Sequence, residues 1–253
     1  MTSSSPFEQR LVDRILPTPA PGKHAARSAL RHLERALLLA QSMPEVATFL
    51  GITAEEESST AVFCALQRRK YKGSDRIQIH SHVHKAALHP FLLGVERAIR
   101  EFLEPRNPIF LFDKENSPDN RELLRVRFDV QDDKGRKWHA MPLPALNFSV
   151  SSDGKTQDFS TELAELATEN SAKDIDAYVK TLAGRRNKVL YAAPNGIPHS
   201  GDVGSFLMYR KSVVVSHLMA YLLIDQHAEH QLFAQQSLSA FLKMLGRLPR
   251  DDA

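Results

Sequence analysis

The sequence predicts a mainly α-helical fold, a bundle of helices with a small antiparallel β insertion. Apolar residues recur at three- and four-residue spacing over much of the chain, which is the period of one buried helical face. Alternation of apolar and polar residues at period two is confined to the middle of the chain, where it indicates strands. Hydrophobic residues make up 42% of the 253 residues, which is enough for an ordinary globular core.

The first 24 residues are interpreted as an N-terminal arm and linker. A short amphipathic helix is expected at residues 7–15, and the proline-dense residues 16–22 are typical of a stiff linker. Residues 25–253 are expected to form a single helical domain. Its first helix, at residues 25–42, repeats leucine and alanine at helical spacing.

Further helices are expected in the first half of this domain. Gly51 is interpreted as a helix break. Thr53 and Glu56 have the spacing of a capping box, which would start a new helix over residues 54–71. A long helix is predicted over residues 79–103, with a disturbance at an internal proline.

A β-rich insert is predicted at residues 107–159. Residues 123–130 alternate apolar and polar side chains, and residues 145–150 form another candidate strand. The Asp-Asp-Lys-Gly sequence at residues 132–135 favours a turn. After the insert, helices are expected at residues 161–168, 171–182, 205–227 and 229–245.

The most apolar window, residues 206–224, is interpreted as a core helix. Arg210, Lys211 and His217 interrupt it, whereas a membrane span needs about 20 mostly apolar residues. We therefore expect no membrane association. The single cysteine, Cys64, indicates no disulfide framework, and the sequence starts without a signal-peptide pattern, so a cytoplasmic location is expected.

Residues 182–191, Leu-Ala-Gly-Arg-Arg-Asn-Lys-Val-Leu-Tyr, contain our preferred functional residues. Asn187 and Tyr191 are four residues apart and would share a helical face, with Arg186 beside them. This group could bind a phosphate, or it could stabilise the end of a helix. The formal net charge of +3 permits an anionic partner without requiring one.

A second candidate site lies around a group of histidines in the predicted helix at residues 79–103. His80 and His84 have the i, i+4 spacing of two metal ligands, but no strong zinc signature such as His-Glu-x-x-His is present. We therefore expect no metal and no cofactor. The alternative is a polar seam or binding site between helices. Its candidate residues are Glu55, Glu56, His82, His84, Lys85 and, from a later loop, His199.

That later loop also offers a hydrolase interpretation, with Ser200 as nucleophile and His199 as base. Adjacent residues rarely orient in this way, and no strand–elbow–helix pattern surrounds them. The glycine-rich phosphate-binding sequences of nucleotide-binding proteins do not occur either. Neither function is favoured.

The order of the helices resembles a known family. An alanine- and leucine-rich helix is followed by the Glu55-Glu56 helix start and by a helix carrying His82-Val-His-Lys85. This order resembles the HEPN-type abortive-infection proteins of the AbiV group, as does the Arg186…Leu-Tyr segment before a Pro/Gly loop. The resemblance covers residues 25–103 and 182–245. It implies a HEPN-like helical bundle, a homodimer, and phage-defence or toxin activity on RNA or translation.

HEPN ribonucleases have an arginine and a histidine with four to six residues between them, and they cut RNA without a metal. The resemblance therefore implies catalytic roles for Arg186, Asn187 and Tyr191. Tyr191 stands where the shortest spacing would place the histidine, and a tyrosine, with a usual pKa of about 10, accepts a proton less readily than imidazole. Three functions stay open. The first is a metal-independent ribonuclease with a degenerate motif, and the second is a non-catalytic module that binds a phage or host protein. The third is a metal-dependent helical-bundle enzyme that uses the histidine cluster.

Overall fold

The structure is a computed structural model that describes residues 5–114, 117, 120–131, 134–147, 150–152, 155–166, 168–190 and 201–248. Helix accounts for 66% of the residues and strand for 9%, which confirms the predicted mainly α fold. The α-helices are α1 (Pro6–Ile15), α2 (Gly22–Leu39), α3 (Pro44–Arg68), α4 (His82–Ala98), α5 (Arg100–Leu103), α6 (Ser160–Glu165), α7 (Glu169–Leu190), α8 (Val203–Asp225) and α9 (Leu232–Leu245).

The strands form two small antiparallel sheets. The strands are β1 (Ile109–Asp113), β2 (Leu123–Gln131) and β3 (Lys137–Ala140) in one sheet, and β4 (Val150–Ser152) and β5 (Lys155–Gln157) in the other. The predicted strand at residues 123–130 is confirmed as β2, the central strand of the larger sheet. The strand predicted at residues 145–150 is wrong over residues 145–147. There the chain turns, with the Asn147 N–H donating to the Pro144 carbonyl (3.0 Å).

Helix α3 lies at the centre of the helical part and packs against α2, α4, α7 and α8. A surface helix buries one stripe of apolar residues, whereas a helix surrounded by others is buried on most sides. Helix α3 is buried on most sides, because small and apolar residues all around it are buried. Its buried alanines are Ala47, Ala54, Ala61 and Ala65.

Helix α3 is continuous, so the predicted break at Gly51 and the predicted new start at Thr53 are both wrong. The Thr53 hydroxyl donates to the Phe49 carbonyl one turn earlier (3.0 Å), so Thr53 is not a helix N-cap. The glycine instead permits close packing of α3 on α8. A β-carbon at residue 51 would lie 2.8 Å from Leu207 Cδ2 and 3.2 Å from Phe206 Cε1.

Gly51→Ala should therefore destabilise the fold even though alanine is the better helix former. Leu207 is fully buried and has little room to move, and overpacking of this kind costs about 1–3 kcal/mol. The matched control is Gly184→Ala in α7, where no atom lies within 4 Å of the added carbon. That control should gain about 0.5–1 kcal/mol from helix propensity alone. Urea unfolding followed by circular dichroism compares the two. Equal stability of the two variants would contradict the packing role of Gly51.

Helix α4 begins at His82, not at residue 79 as predicted. Ser81 is its N-cap, because the Ser81 hydroxyl accepts a hydrogen bond from the His84 N–H (3.2 Å). His80 therefore lies outside the helix and does not share a helical face with His84. Helix α7 extends to Leu190, so the preferred site segment forms its last turns.

Among the described residues, α8 is the one helix that is long and apolar enough to cross a membrane by composition. The structure places it in the core as predicted, and 56% of its most apolar window is buried.

Just beyond the C-terminal end of α8, Gln226 joins the core to the larger sheet. The Gln226 side-chain amide donates to the Leu124 carbonyl (2.5 Å) and accepts from the Leu124 N–H (3.0 Å).

Candidate active site where three helices meet

Helices α3, α4 and α7 meet around two neighbouring glutamates, Glu55 and Glu56. Successive residues of a helix point about 100° apart, so the two carboxylates leave α3 in different directions. The Glu55 side chain is fully buried, whereas the Glu56 side chain retains 11% of its surface at the edge of the bundle. Each carboxylate organises its own group of polar side chains. We call them the inner cluster, around Glu55, and the outer cluster, formed by Glu56, His82 and Arg186.

The outer cluster combines a carboxylate, an imidazole and a guanidinium group within hydrogen-bonding reach. His82 Nδ1 lies 3.0 Å from both Oε1 and Oε2 of Glu56. Arg186 Nη1 lies 3.3 Å from His82 Nδ1, 3.4 Å from His82 Nε2 and 3.6 Å from Glu56 Oε1. The three side chains come from three different helices, so the tertiary fold alone brings them together.

Local structure explains why these side chains face solvent. His82 is the first residue of α4, immediately after the N-cap, and 59% of its side chain is exposed. Arg186 belongs to the last turns of α7, and 33% of its side chain is exposed. Its guanidinium carbon lies 5.3 Å from the centre of the Phe49 ring, a cation–π contact that holds the side chain in place.

This arrangement fixes the roles of the two imidazole nitrogens. A carboxylate can only accept hydrogen bonds, so the neutral His82 ring places its proton on Nδ1 and donates it to Glu56. Nε2 then carries the lone pair and, in the free protein, accepts from Arg186 Nη1, which lies 3.4 Å away. The recorded contacts of Arg186 all involve Nη1 or the face of the guanidinium. Its Nε and Nη2 donors have no partner among the described residues.

The inner cluster centres on an ion pair in the core. Arg210 of α8 donates a short hydrogen bond to the fully buried Glu55 carboxylate. The Tyr178 hydroxyl of α7 donates to Glu55 Oε1 (3.1 Å) and accepts from Arg210 Nη1 (2.8 Å). Arg210 also lies 4.8 Å from the centre of the Phe206 ring. These contacts join α3, α7 and α8 through one charged pair.

Two buried histidines complete the inner cluster. The ring of His89 in α4 contacts that of His217 in α8, with centroids 5.9 Å apart, and His89 Nε2 lies 2.7 Å from the Tyr209 hydroxyl. His217 Nδ1 lies 2.9 Å from the Ser58 hydroxyl. The Ser59 hydroxyl links α3 to α4 through a hydrogen bond that it donates to a backbone carbonyl of α4 (3.0 Å). His217 Nε2 has no hydrogen-bond partner among the described residues.

Burial dominates the proton affinities in the inner cluster. Burial lowers the pKa of His89 to about 4 and that of His217 to about 3, so both rings are neutral at physiological pH. Burial also raises the pKa of Glu55, against the opposing effects of Arg210 and Tyr178. Burial alone would lower the pKa of Arg210, but the adjacent Glu55 carboxylate and Tyr178 raise it above its usual value.

Stability should therefore fall in mild acid, with His217 as a main cause. The unfolded chain binds a proton at this residue near its usual pKa of about 6.5, whereas the folded protein does not until about pH 3. The unfolded state thus gains protons, and stability is lost, as the pH falls below about 6.5. Urea unfolding between pH 6 and pH 4.5 should show a slope of about 1 kcal/mol per pH unit more in the wild type than in His217→Gln. Contributions of Glu55 occur in both proteins and cancel, so identical slopes would contradict this assignment.

The structure brings together some of the predicted residues and separates others. Glu56, His82 and Arg186 form the outer cluster, and Glu55 forms the inner one. His84 instead turns back, and its Nδ1 accepts from the Gln78 N–H (3.1 Å). Lys85 is buried, and its backbone carbonyl accepts from Ser59. Tyr191 and His199, together with the side chain of Asn187, lie outside the described residues.

Sequence reasoning missed Tyr178 and the roles of Arg210 and His217. One signal was present, because Arg210 and His217 are seven residues apart in a mostly apolar helix and so share a face. A charged residue inside a core helix needs a buried partner. Its partner, Glu55, is 155 residues away in the chain, and nothing in the sequence links them.

The outer cluster does not resemble a metal site. Across the residues that the structure describes, no group of three His, Cys, Asp or Glu side chains could hold a metal ion. Arg186 would also repel a cation placed beside His82 and Glu56.

Comparison with protein-family models, curated proteins and solved structures finds no match to this chain. Function therefore has to be inferred from the side chains themselves.

Proposed function

We propose that this protein cuts RNA without a metal ion, at the outer cluster of Glu56, His82 and Arg186. The observation that supports this proposal best is the contact between Arg186 and His82 across α7 and α4. The family resemblance implies an arginine–histidine pair, but this chain has Tyr191 at the position where the histidine is expected. In the folded chain, His82 from a distant helix supplies the imidazole beside Arg186.

The reaction uses the 2′-hydroxyl of RNA as nucleophile. Once Arg186 Nη1 has turned from the ring to the phosphate, His82 Nε2 takes the proton of that hydroxyl, and the oxygen forms a bond to the adjacent phosphorus as the bond from phosphorus to the 5′-oxygen breaks. The imidazolium then gives its proton to the leaving 5′-oxygen, so no proton is consumed overall. The products are a 2′,3′-cyclic phosphate end and a 5′-hydroxyl end.

The other two side chains support this proton transfer. Glu56 accepts the Nδ1 proton, which orients the ring and stabilises the imidazolium as it forms. The Nε and Nη2 donors of Arg186, which have no partner among the described residues, suit the oxygens of a phosphate that gains charge in the transition state. The high exposure of His82 leaves room for a polymeric substrate.

Purified protein incubated with total RNA, beside an Arg186→Ala variant purified in parallel, tests this function. The wild type should produce fragments with 2′,3′-cyclic phosphate and 5′-hydroxyl ends, in the presence of a chelator as well as without it. The variant should leave the RNA intact. Identical fragment patterns for both proteins would remove the nuclease assignment, because a contaminating nuclease would act equally in both samples.

The resemblance to the AbiV group suggests the biological setting of this activity. We place the protein in phage defence or growth arrest, acting as a homodimer on RNA or on translation. Cells that express the wild type should survive phage infection as a population better than cells that express Arg186→Ala.

Light scattering during gel filtration should give a mass near twice 28.4 kDa. A monomer with full activity would remove the dimer from the proposal.

A second candidate function is a module that binds a phage or host protein through the β-rich insert. It is favoured by large apolar side chains exposed on the larger sheet, with Phe110 41% exposed on β1 and Trp138 48% exposed on β3. Exposed aromatic side chains often anchor protein interfaces. Phe110→Ser with Trp138→Ser should then abolish protection against phage while RNA cleavage persists. Unchanged protection would count against this function.

A further inference from the structure

Helix α2 carries a basic stripe along its solvent-facing side, away from the residues discussed above. Arg27, Arg31 and Arg35 follow one another at intervals of four residues, and all three are exposed. Residues four apart are displaced by about 40° around a helix and about 6 Å along it, so these arginines form one row. His24, Ser28 and His32 lie beside them, and an open groove of about 350 Å³ runs between these side chains.

The three arginines of the stripe have no acidic partner in the part of the chain that the structure describes. Arg68, in contrast, is paired with Asp225 (2.6 Å). The exposed Glu34 borders the stripe but forms no recorded ion pair with it. His32 Nδ1 is buried under the stripe and has no hydrogen-bond partner among the described residues. The stripe thus presents three unneutralised charges although the net charge of the whole chain is only +3.

We propose that the basic stripe of α2 binds the phosphate backbone of single-stranded RNA. This inference rests on the proposed function, since it supplies a surface that holds the polymer whose cleavage we assign to the outer cluster. The row from Arg27 to Arg35 is about 12 Å long. Its three guanidinium groups can each contact a phosphate of one strand, which gives about three phosphate contacts. Arginine donates to phosphate oxygens in pairs, which suits it to this contact.

An anionic membrane surface is the competing partner, and the helix argues against it. A helix that lies on a membrane inserts an apolar face between the lipids. The apolar face of α2, with Ala26, Ala29, Leu33 and Ala36, is already buried against the protein. Of the large apolar residues of α2, only Leu38 is strongly exposed, at 63%. One leucine offers far less apolar surface than a membrane-bound helix requires.

The test measures binding separately from cleavage. A fluorescein-labelled single strand of 2′-O-methyl RNA has no free 2′-hydroxyl, so it can bind without being cut. Its affinity is measured by fluorescence anisotropy over a series of salt concentrations. The test variant replaces Arg27, Arg31 and Arg35 with glutamine. A matched control replaces three exposed arginines elsewhere, namely Arg76, Arg97 and Arg247, and so loses the same net charge.

Each phosphate contact contributes about 0.7 to the slope of log affinity against log salt for a single strand, so loss of the stripe should reduce that slope by about 2. The control should keep the wild-type slope. Equal slopes in both triple variants would overturn the proposal. So would wild-type protein that binds phosphatidylserine vesicles but not this RNA.

Failure of the proposed function has a different signature. If unmodified RNA is not cut but the slope falls by about 2 in the stripe variant alone, the stripe stands and the catalytic assignment fails. If RNA is cut and the slope does not change, the catalytic site stands and the stripe fails.

Discussion

His82→Ala should lower the rate of RNA cleavage by about 100- to 10,000-fold, the contribution typical of a general acid–base residue. The imidazole is the group of the outer cluster that can both accept and return a proton. More than half of the His82 side chain is exposed, so its removal should leave the fold intact. Initial rates on a defined single-stranded RNA, with thermal unfolding as a check on the fold, measure this effect.

Companion variants separate the roles within the outer cluster. Glu56→Gln keeps the shape of the side chain but removes the charge that stabilises the imidazolium, so activity should fall less than in His82→Ala. Arg186→Lys keeps the charge but loses the paired donors, so it should retain little activity. His80→Ala is the matched control, because His80 is also exposed but lies outside α4. Loss of activity in His80→Ala equal to that in His82→Ala would contradict the assignment.

Arg210→Met should destabilise the protein by about 3–5 kcal/mol, because it leaves the Glu55 carboxylate buried without its counter-charge. Tyr178 would still donate one hydrogen bond to Glu55, but a neutral donor compensates a buried charge poorly. Urea unfolding at pH 7, followed by circular dichroism, gives the free energy of unfolding. A loss below about 1 kcal/mol would show that the pair is solvated or dispensable.

A double variant identifies the cause of that loss. Glu55→Leu combined with Arg210→Met replaces the buried pair by apolar side chains of similar size, which is often neutral or even stabilising. The double variant should therefore be more stable than Arg210→Met alone. The stability losses of Glu55→Leu and Arg210→Met are also measured separately. If the double variant loses as much stability as these two losses added together, the cause lies in packing of the Arg210 side chain and not in an uncompensated charge.

The helical part of the fold could be predicted because its signals are local. Apolar spacing correctly indicates α2, α8 and α9, and alternation correctly indicates β2. The errors fall where a residue acts through a distant neighbour. Gly51 has the appearance of a helix break, but it is a contact point for Leu207 of α8, 156 positions later in the chain. The turn at residues 145–147 is apolar enough to suggest a strand, but prolines just before it cannot donate the hydrogen bonds of a ladder.

The candidate site was predictable in its parts but not in its assembly. Glu56, His82 and Arg186 each stand out from the sequence by residue type and position. Their contact depends on the angle at which α7 crosses α3 and α4, which no local pattern specifies. The same is true of Glu55 and Arg210, whose pairing requires α8 to lie against α3.

The adjacent glutamates of α3 hold one helix at two places. Glu55 holds α7 through Tyr178, and Glu56 holds it again at Arg186, eight residues later. A helix restrained twice on one side can neither roll nor slide without losing one of the two contacts. The contact of buried Glu55 with Tyr178 therefore also helps to position Arg186 beside His82. A shift of α7 in the core would therefore also move Arg186 relative to His82.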